Sequence, residues 1–174
     1  MRILDFPILR QTYEYDCGAN ALQSVFAYFG VDLDEGIIMG EAKTSKKGTF
    51  FENIVKTAKK HGFKVDSRRM DLNDIGRYID RKIPVIILLQ AWSKRARKIW
   101  NKDWKEGHYV VAIGYDKKRI YFEDPYSFNR VFLPDKELIE RWHDISGKNK
   151  YVNYGIAIYG KNPKYNSKRI IHMG

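Results

Sequence analysis

The sequence predicts an α+β fold, in which a helical N-terminal half packs on a C-terminal antiparallel β-sheet. Apolar residues recur at helical spacing up to about residue 81, whereas β-branched and aromatic runs dominate from residue 83 onward. Helices and strands are thus segregated along the chain and do not alternate. This order is typical of α+β proteins and not of parallel α/β sheets.

The first half is predicted to contain an extended arm and four short helices. Residues 3–10 form the arm, because Pro7 interrupts any regular element. The first helix spans residues 17–29, with Asp16 as its N-cap and Gly30 as its C-cap. Capping residues and apolar periodicity predict the remaining three helices, over residues 34–40, 49–61 and 72–81. Thr49 caps the third helix in this interpretation, and Asp71 or Asn73 caps the fourth.

The second half is predicted to be mostly β-sheet. The run at residues 83–89 is apolar throughout and suits a buried strand. Alternating or β-branched segments predict further strands, at residues 108–115, 119–122, 131–133 and 154–159, with an edge strand at 63–69. One helix over residues 134–142 interrupts this half. A cleft between the helical and β parts would bring Cys17 towards His108.

Length and composition predict a single domain over residues 1–160 and a basic C-terminal tail over residues 161–174. The sequence contains no secretory signal and no apolar run long enough to cross a bilayer. Its single cysteine excludes a disulfide scaffold and a cysteine-rich metal site. We therefore expect a cytoplasmic protein.

The net charge of +11 could indicate nucleic acid, an anionic membrane or an acidic peptide as partner. Most basic residues are dispersed along the chain, which favours the interpretation that they are ordinary solvent-exposed surface residues. One cluster, residues 94–105, interleaves basic and aromatic side chains, as surfaces that hold single-stranded nucleic acid do. Nucleic-acid binding therefore remains an alternative function, although no DNA- or RNA-binding motif accompanies the cluster.

The order of three residues indicates a cysteine hydrolase. Cys17 lies at the predicted start of a helix, where backbone N–H groups and the helix dipole favour a thiolate. His108 follows on a strand, and Asp124 precedes Pro125 after the next strand. Each residue alone has a structural explanation: a small apolar core residue, a core histidine and a turn aspartate. No two histidines have helical ligand spacing, so we expect neither a metal nor a cofactor.

These motifs resemble the double-glycine leader peptidases, the bacteriocin-processing branch of the papain-like cysteine peptidases. The resemblance rests on Gln11 six residues before Cys17, on Asp-Cys-Gly at the start of the first helix, on Gly-His-Tyr-Val-Val at His108, and on Asp124 before proline. It covers roughly residues 8–145. It implies a papain-like fold, with Cys17 as nucleophile, His108 as general base, Asp124 orienting the imidazole and Gln11 supplying an oxyanion-hole donor.

The resemblance implies a peptide or protein substrate. Some relatives have lost the cysteine and bind peptides without cleaving them, so a catalytically silent peptide-binding module is a second alternative. An acyltransferase with the same residues is a third. The basic, tryptophan-bearing segment 93–105 immediately precedes His108 and is expected to border the cleft. A basic loop with tryptophans at this place would favour acidic or aromatic substrate residues, and Arg95, Arg97 and Lys98 are among its basic residues.

Overall fold

A computed structural model describes residues 1–93 and 99–174. Within these residues the helices are α1 (Cys17–Tyr28), α2 (Glu35–Glu41), α3 (Phe51–Lys60), α4 (Leu72–Asp80) and α5 (Asp135–Arg141), with a 3₁₀ turn at Trp100–Lys102. The strands are β1 (Arg2–Ile3), β2 (Lys64–Arg69), β3 (Val85–Gln90), β4 (Gly107–Tyr115), β5 (Arg119–Glu123), β6 (Val131–Pro134), β7 (His143–Ser146), β8 (Asn149–Val152) and β9 (Tyr154–Tyr159).

The main sheet is antiparallel and has the strand order β2-β9-β3-β4-β5-β6, with β1 paired to one end of β4. The central strand β3 is buried along its whole length, which explains why its sequence is apolar up to its last residue, Gln90. Helix α1 packs on β4. This contact brings the N-terminus of α1 to the strand that begins with Gly107 and His108.

The segregation of helices and strands is confirmed, and most boundaries agree with the sequence pattern. The N-cap position of Asp16 on α1 is confirmed, but its side chain makes no capping hydrogen bond, because it is bound to the loop before the helix. The cap predicted at Thr49 is wrong. Thr49 precedes the true N-cap residue, Phe50, and its hydroxyl pairs with that of Thr44 at 2.8 Å. Asp71 does cap α4, in a capping box with Asp74.

The hairpin of β7 and β8 was not predicted. It lies between α5 and β9 and forms a second, two-stranded sheet that packs against β3 and β4. Gly147, at its turn, has φ +63°, a conformation that favours glycine. The hydroxyl of Ser146 accepts a hydrogen bond from the backbone N–H of Phe51 at 2.8 Å. The hairpin is thereby fixed to the start of α3.

The predicted basic tail returns to the helical half. The backbone N–H groups of Lys164 and Tyr165 both donate to the carbonyl of Tyr28, at 3.0 and 3.1 Å. The division of the chain into a domain over residues 1–160 and a tail over residues 161–174 remains a prediction. Among the helices of the described ranges, none combines the length and the apolar character needed to span a membrane.

Candidate active site

Cys17 is the first residue of α1 and is partly exposed. The backbone N–H groups of a helix's first turn have no acceptor within the helix, and they leave a partial positive charge at this end. A charge of this sign favours the ionised form of a nearby thiol in general. Gly18 follows Cys17 and lies against the ring of Tyr109, so closely that a Cβ on residue 18 would be 3.0 Å from it. This close approach seats the start of α1 on β4.

The loop before Cys17 is held by Asp16. One carboxylate oxygen, Oδ2, accepts hydrogen bonds from the backbone N–H groups of Thr12 at 3.2 Å and Tyr13 at 2.9 Å. Asp16 is fully buried, and burial raises the pKa of its carboxyl despite these two bonds. The side chain therefore fixes the loop that connects Gln11 to the cysteine.

His108 and Asp124 lie on neighbouring strands and are in direct contact. His108 is the second residue of β4, and Asp124 follows the last residue of β5. Imidazole Nε2 of His108 lies 2.7 Å from Oδ1 of Asp124. Because Nε2 is engaged by the carboxylate, Nδ1 is the ring nitrogen left for the thiol.

The charges of these groups reinforce one another. Burial alone lowers the pKa of His108, but the negative charge of Cys17 and hydrogen bonds with Asp124 and Cys17 outweigh it, raising that pKa from 6.5 to about 10. Burial likewise raises the pKa of Asp124, yet its hydrogen bond and ionic attraction to His108 hold the net value below the ordinary one. The arrangement therefore favours a protonated imidazole next to an ionised Asp124.

Trp92 is a further partner of Asp124 that the sequence did not suggest. Its indole N–H donates to Oδ2 of Asp124 at 2.7 Å, while the backbone N–H of Tyr126 donates to Oδ1 at 2.8 Å. Trp92 has φ +55°, in the left-handed region that is costly for a side chain of this size. Both oxygens of a carboxylate that is only 1% exposed are thus held in place.

Gln11 lies beside the segment that contains Asp124 and Pro125. Its backbone N–H donates to the carbonyl of Pro125 at 3.0 Å, which joins the loop before Cys17 to the residue after Asp124. Its carboxamide donates to the carbonyl of Tyr13 at 2.6 Å. A carboxamide has two N–H donors, and this contact uses one of them. The oxyanion role of Gln11 therefore remains a prediction that requires the other donor.

A cavity of about 230 Å³ opens beside Cys17. Its walls come from the loop before α3, from the first residues of β4 and from the β7–β8 hairpin. They include Gly48, Tyr109, Asp144 and Ser146. The helical half and the sheet therefore enclose the space next to the sulfur, as expected for a cleft between them.

The four predicted site residues fall into two groups. Cys17, His108 and Asp124 are connected through the imidazole, whereas Gln11 is tied to their surroundings through Pro125. The basic side chains Lys94, Arg95, Arg97 and Lys98 lie outside the described residues, so their predicted place at the cleft remains a prediction. In residues 1–93 and 99–174 no group of histidine, cysteine and acidic side chains could hold a metal ion.

Comparison with known proteins assigns the family. The model of the peptidase C39 family matches residues 5–146. The transport/processing ATP-binding protein ComA of Streptococcus pneumoniae is 28% identical over 142 residues, which are 78% of this chain but 17% of ComA.

Solved structures match the fold over nearly the whole chain. A putative C39-like peptidase from Bacillus anthracis aligns with a TM-score of 0.71 and 17% identity, covering 94% of this chain and 98% of that one. A double glycine motif protease from an AMS/PCAT transporter, solved with its leader peptide, aligns with a TM-score of 0.63 and 21% identity over 90% of this chain and 93% of that chain. The predicted papain-like fold is confirmed, and the chain belongs to the peptidase C39 family of cysteine-type peptidases.

Proposed function

We propose that this protein hydrolyses a peptide bond with Cys17 as nucleophile, His108 as general acid and base, and Asp124 as the residue that orients the imidazole. The observation that supports the proposal is the imidazole of His108, which bonds Asp124 through Nε2 and interacts with Cys17 on its other side. A thiolate paired with an imidazolium is the reactive form of a cysteine nucleophile near neutral pH.

In the first step the sulfur of Cys17 attacks the carbonyl carbon of the substrate and forms a tetrahedral intermediate. The backbone N–H of Cys17 and the carboxamide of Gln11 donate to its oxyanion in this proposal. His108 then transfers its proton to the leaving nitrogen, the C–N bond breaks, and a thioester remains on Cys17.

In the second step His108, now neutral, takes a proton from water as the water oxygen attacks the thioester. The carbon–sulfur bond breaks, the carboxylic acid product leaves, and the thiolate–imidazolium pair is restored. Asp124 keeps the ring in one tautomer throughout, because its carboxylate accepts from Nε2.

The substrate is a peptide or an extended protein segment. Support comes from the family and from the relative whose structure contains a leader peptide. Cys17 faces a cavity open to solvent between the two halves of the fold, as an extended chain would require. Whether the segment carries two glycines before the cleaved bond is an outcome of the test below.

The nucleophile is tested by alkylation of Cys17 with iodoacetamide at pH 6. An ordinary thiol with pKa near 8.5 is less than about 1% ionised at that pH. We expect alkylation at least about tenfold faster than that of free cysteine, and we expect His108→Ala to remove the advantage. A wild-type thiol no faster than free cysteine contradicts the proposal.

Hydrolysis is tested with a library of internally quenched peptides that includes glycine pairs. Cleavage that is lost in Cys17→Ser and yields a free carboxylic acid by mass spectrometry supports the proposal. Transfer of the acyl group to an added amine in preference to water indicates an acyltransferase instead. Peptide that binds and stays intact indicates a binding module.

A further inference from the structure

Asp144 is a buried carboxylate in the wall of the cavity that contains Cys17. It lies on β7, in the hairpin that packs against β3 and β4, and is 8% exposed. The catalytic steps above do not use it. A carboxylate in such a position is costly unless it has partners, because burial removes its hydration.

The orientation of Asp144 is fixed by a buried glutamine. Nε2 of Gln90 donates to Oδ1 of Asp144 at 2.8 Å and to the carbonyl of His143 at 3.0 Å. Oε1 of Gln90 accepts from the backbone N–H of Glu106 at 2.8 Å, so the carboxamide is held at both ends. Gln90 itself is fully buried. The carboxylate of Asp144 is therefore a preorganised group and not a mobile surface side chain.

The other oxygen of Asp144 lies against the strand that carries His108. A Cβ on Gly107 would stand 1.8 Å from Oδ2 and 2.6 Å from Cγ of Asp144. Only a residue without a side chain leaves room for the carboxylate there. The carboxylate of Asp144 therefore lies against Gly107, the residue immediately before His108.

The surroundings leave this charge incompletely compensated. Burial raises the pKa of the Asp144 carboxyl, and Asp103 adds to the rise, whereas Gln90, His143 and a backbone N–H oppose it. Two lysines, Lys46 and Lys47, also line the cavity, but both are exposed, so water and salt screen them. A cation that entered the cavity would contact Asp144 where screening is weakest.

The cavity has room for one long side chain. Its volume of about 230 Å³ exceeds the roughly 150 Å³ that holds a benzene-sized ring. We propose that this cavity is a specificity subsite that binds the cationic side chain of a lysine or arginine near the cleaved bond, with Asp144 accepting its hydrogen bonds. The proposal rests on the peptidase function proposed above and deepens it by naming a substrate class.

The test uses arginine and citrulline, which have nearly the same shape and differ in charge. Internally quenched octapeptides carry one or the other at each position in turn, and kcat/KM is measured for wild type, Asp144→Asn and Glu14→Gln. At one position we expect arginine to be favoured at least tenfold in the wild type and less than twofold in Asp144→Asn. Glu14→Gln removes the same charge from the exposed rim of the cavity and should retain the preference.

A second measurement does not require turnover. It uses peptidyl acyloxymethyl ketones, inhibitors that react covalently with Cys17. They carry arginine or citrulline at the position that the octapeptides select, or at each position in turn if none is selected. Intact-mass spectrometry measures the rate of labelling. The same tenfold ratio and its loss in Asp144→Asn are expected. Equal labelling rates for the two inhibitors overturn the subsite and leave the proposed nucleophile standing. No labelling of Cys17 by either inhibitor overturns both proposals.

Melting temperatures separate these outcomes from misfolding. Asparagine retains an oxygen for the bond from Gln90, so Asp144→Asn is expected to fold. An arginine preference that survives in folded Asp144→Asn overturns the proposal, as does one that Glu14→Gln abolishes to the same extent.

Discussion

The indole N–H of Trp92 lies 2.7 Å from Oδ2 of Asp124 and donates to it. It thereby holds the carboxylate oxygen that His108 does not contact, since the imidazole is bonded to Oδ1. The backbone of Trp92 adopts φ +55° to make this contact. Unfavourable backbone conformations often occur at functional sites, where surrounding contacts sustain them.

Replacing Trp92 by phenylalanine should lower kcat/KM about tenfold, because a hydrogen bond to a charged acceptor contributes about 1.5–3 kcal/mol. The carboxylate then rotates more freely beside the imidazole. Tyr126→Phe is the matched control, since the tyrosine ring contacts Trp92 but only its backbone N–H bonds Asp124. Tyr126→Phe keeps the ring contact with Trp92 and both bonds to Asp124, so its activity should stay close to wild type. An equal loss in the two variants would contradict a specific role of the indole donor.

The imidazole of His108 should titrate with a midpoint near pH 10. Because folding raises this pKa from 6.5, the stability it contributes is complete below about pH 6.5 and is lost as the pH rises through about 10. Asp124→Asn and Cys17→Ser should each lower the midpoint, since each removes a negative neighbour. NMR of ¹³C-labelled histidine, with His108→Gln for assignment, measures it. A midpoint that neither variant changes would contradict the charge coupling.

Removing the carboxamide of Gln11 should affect catalysis but not the thiolate. For Gln11→Ala we expect a fall in kcat of roughly 10²–10³, as is typical when one oxyanion donor is lost. The alkylation rate of Cys17 should stay within about twofold, because no transition-state oxyanion forms in that reaction. If both rates fall together, Gln11 acts by holding the loop through Pro125 and not as an oxyanion donor.

The buried carboxylate of Asp16 should be replaceable by an amide but not by a methyl group. Asp16→Ala leaves the backbone N–H groups of Thr12 and Tyr13 without their acceptor, which should lower the free energy of unfolding by about 2 kcal/mol. Asp16→Asn retains an acceptor oxygen. The fold raises the pKa of Asp16 above its value in the unfolded chain. The free energy of unfolding of the wild type therefore falls as the pH rises from the unfolded to the folded pKa of this group, whereas Asp16→Asn does not ionise and shows no such fall. Urea denaturation at pH 4 and 7 checks both expectations.

Gly107 and Asp144 should be energetically coupled. Gly107→Ala forces a methyl group onto the carboxylate and should cost about 1–3 kcal/mol in unfolding free energy. In combination with Asp144→Ala the cost of the methyl group should shrink, giving a coupling of about 0.5 kcal/mol or more in a double-mutant cycle. Additive effects would mean that the backbone moves to relieve the contact.

The features of this site that depend on short stretches of sequence could be predicted. Helix α1 begins at Cys17 because apolar periodicity and a following glycine define its bounds, and both signals lie within fifteen residues. His108 and Asp124 occupy the two sides of one hairpin, so a turn between two β-branched runs was enough to bring them close. The resemblance to a known family supplied the roles that spacing alone left open.

The remaining features depend on contacts between distant segments. Trp92 and Asp124 are 32 positions apart and meet only through the sheet order and an unusual backbone conformation. Asp16 was predicted as a cap because local preference favours that role, yet the loop before it offered two competing N–H donors. The β7–β8 hairpin had a local signal in Gly147, a turn residue followed by Lys148 and Asn149, but its strands lack an apolar alternation that would predict them.

Cys17 is the single thiol of these 174 residues and is accessible at the mouth of a cavity. Peroxide oxidises an accessible thiol of this kind to a sulfenic acid. With no resolving cysteine elsewhere in this sequence, the oxidised sulfur has no intramolecular disulfide to form. Recovery would then depend on a small reducing molecule such as glutathione, and without it the oxidation would continue to the irreversible sulfinic stage.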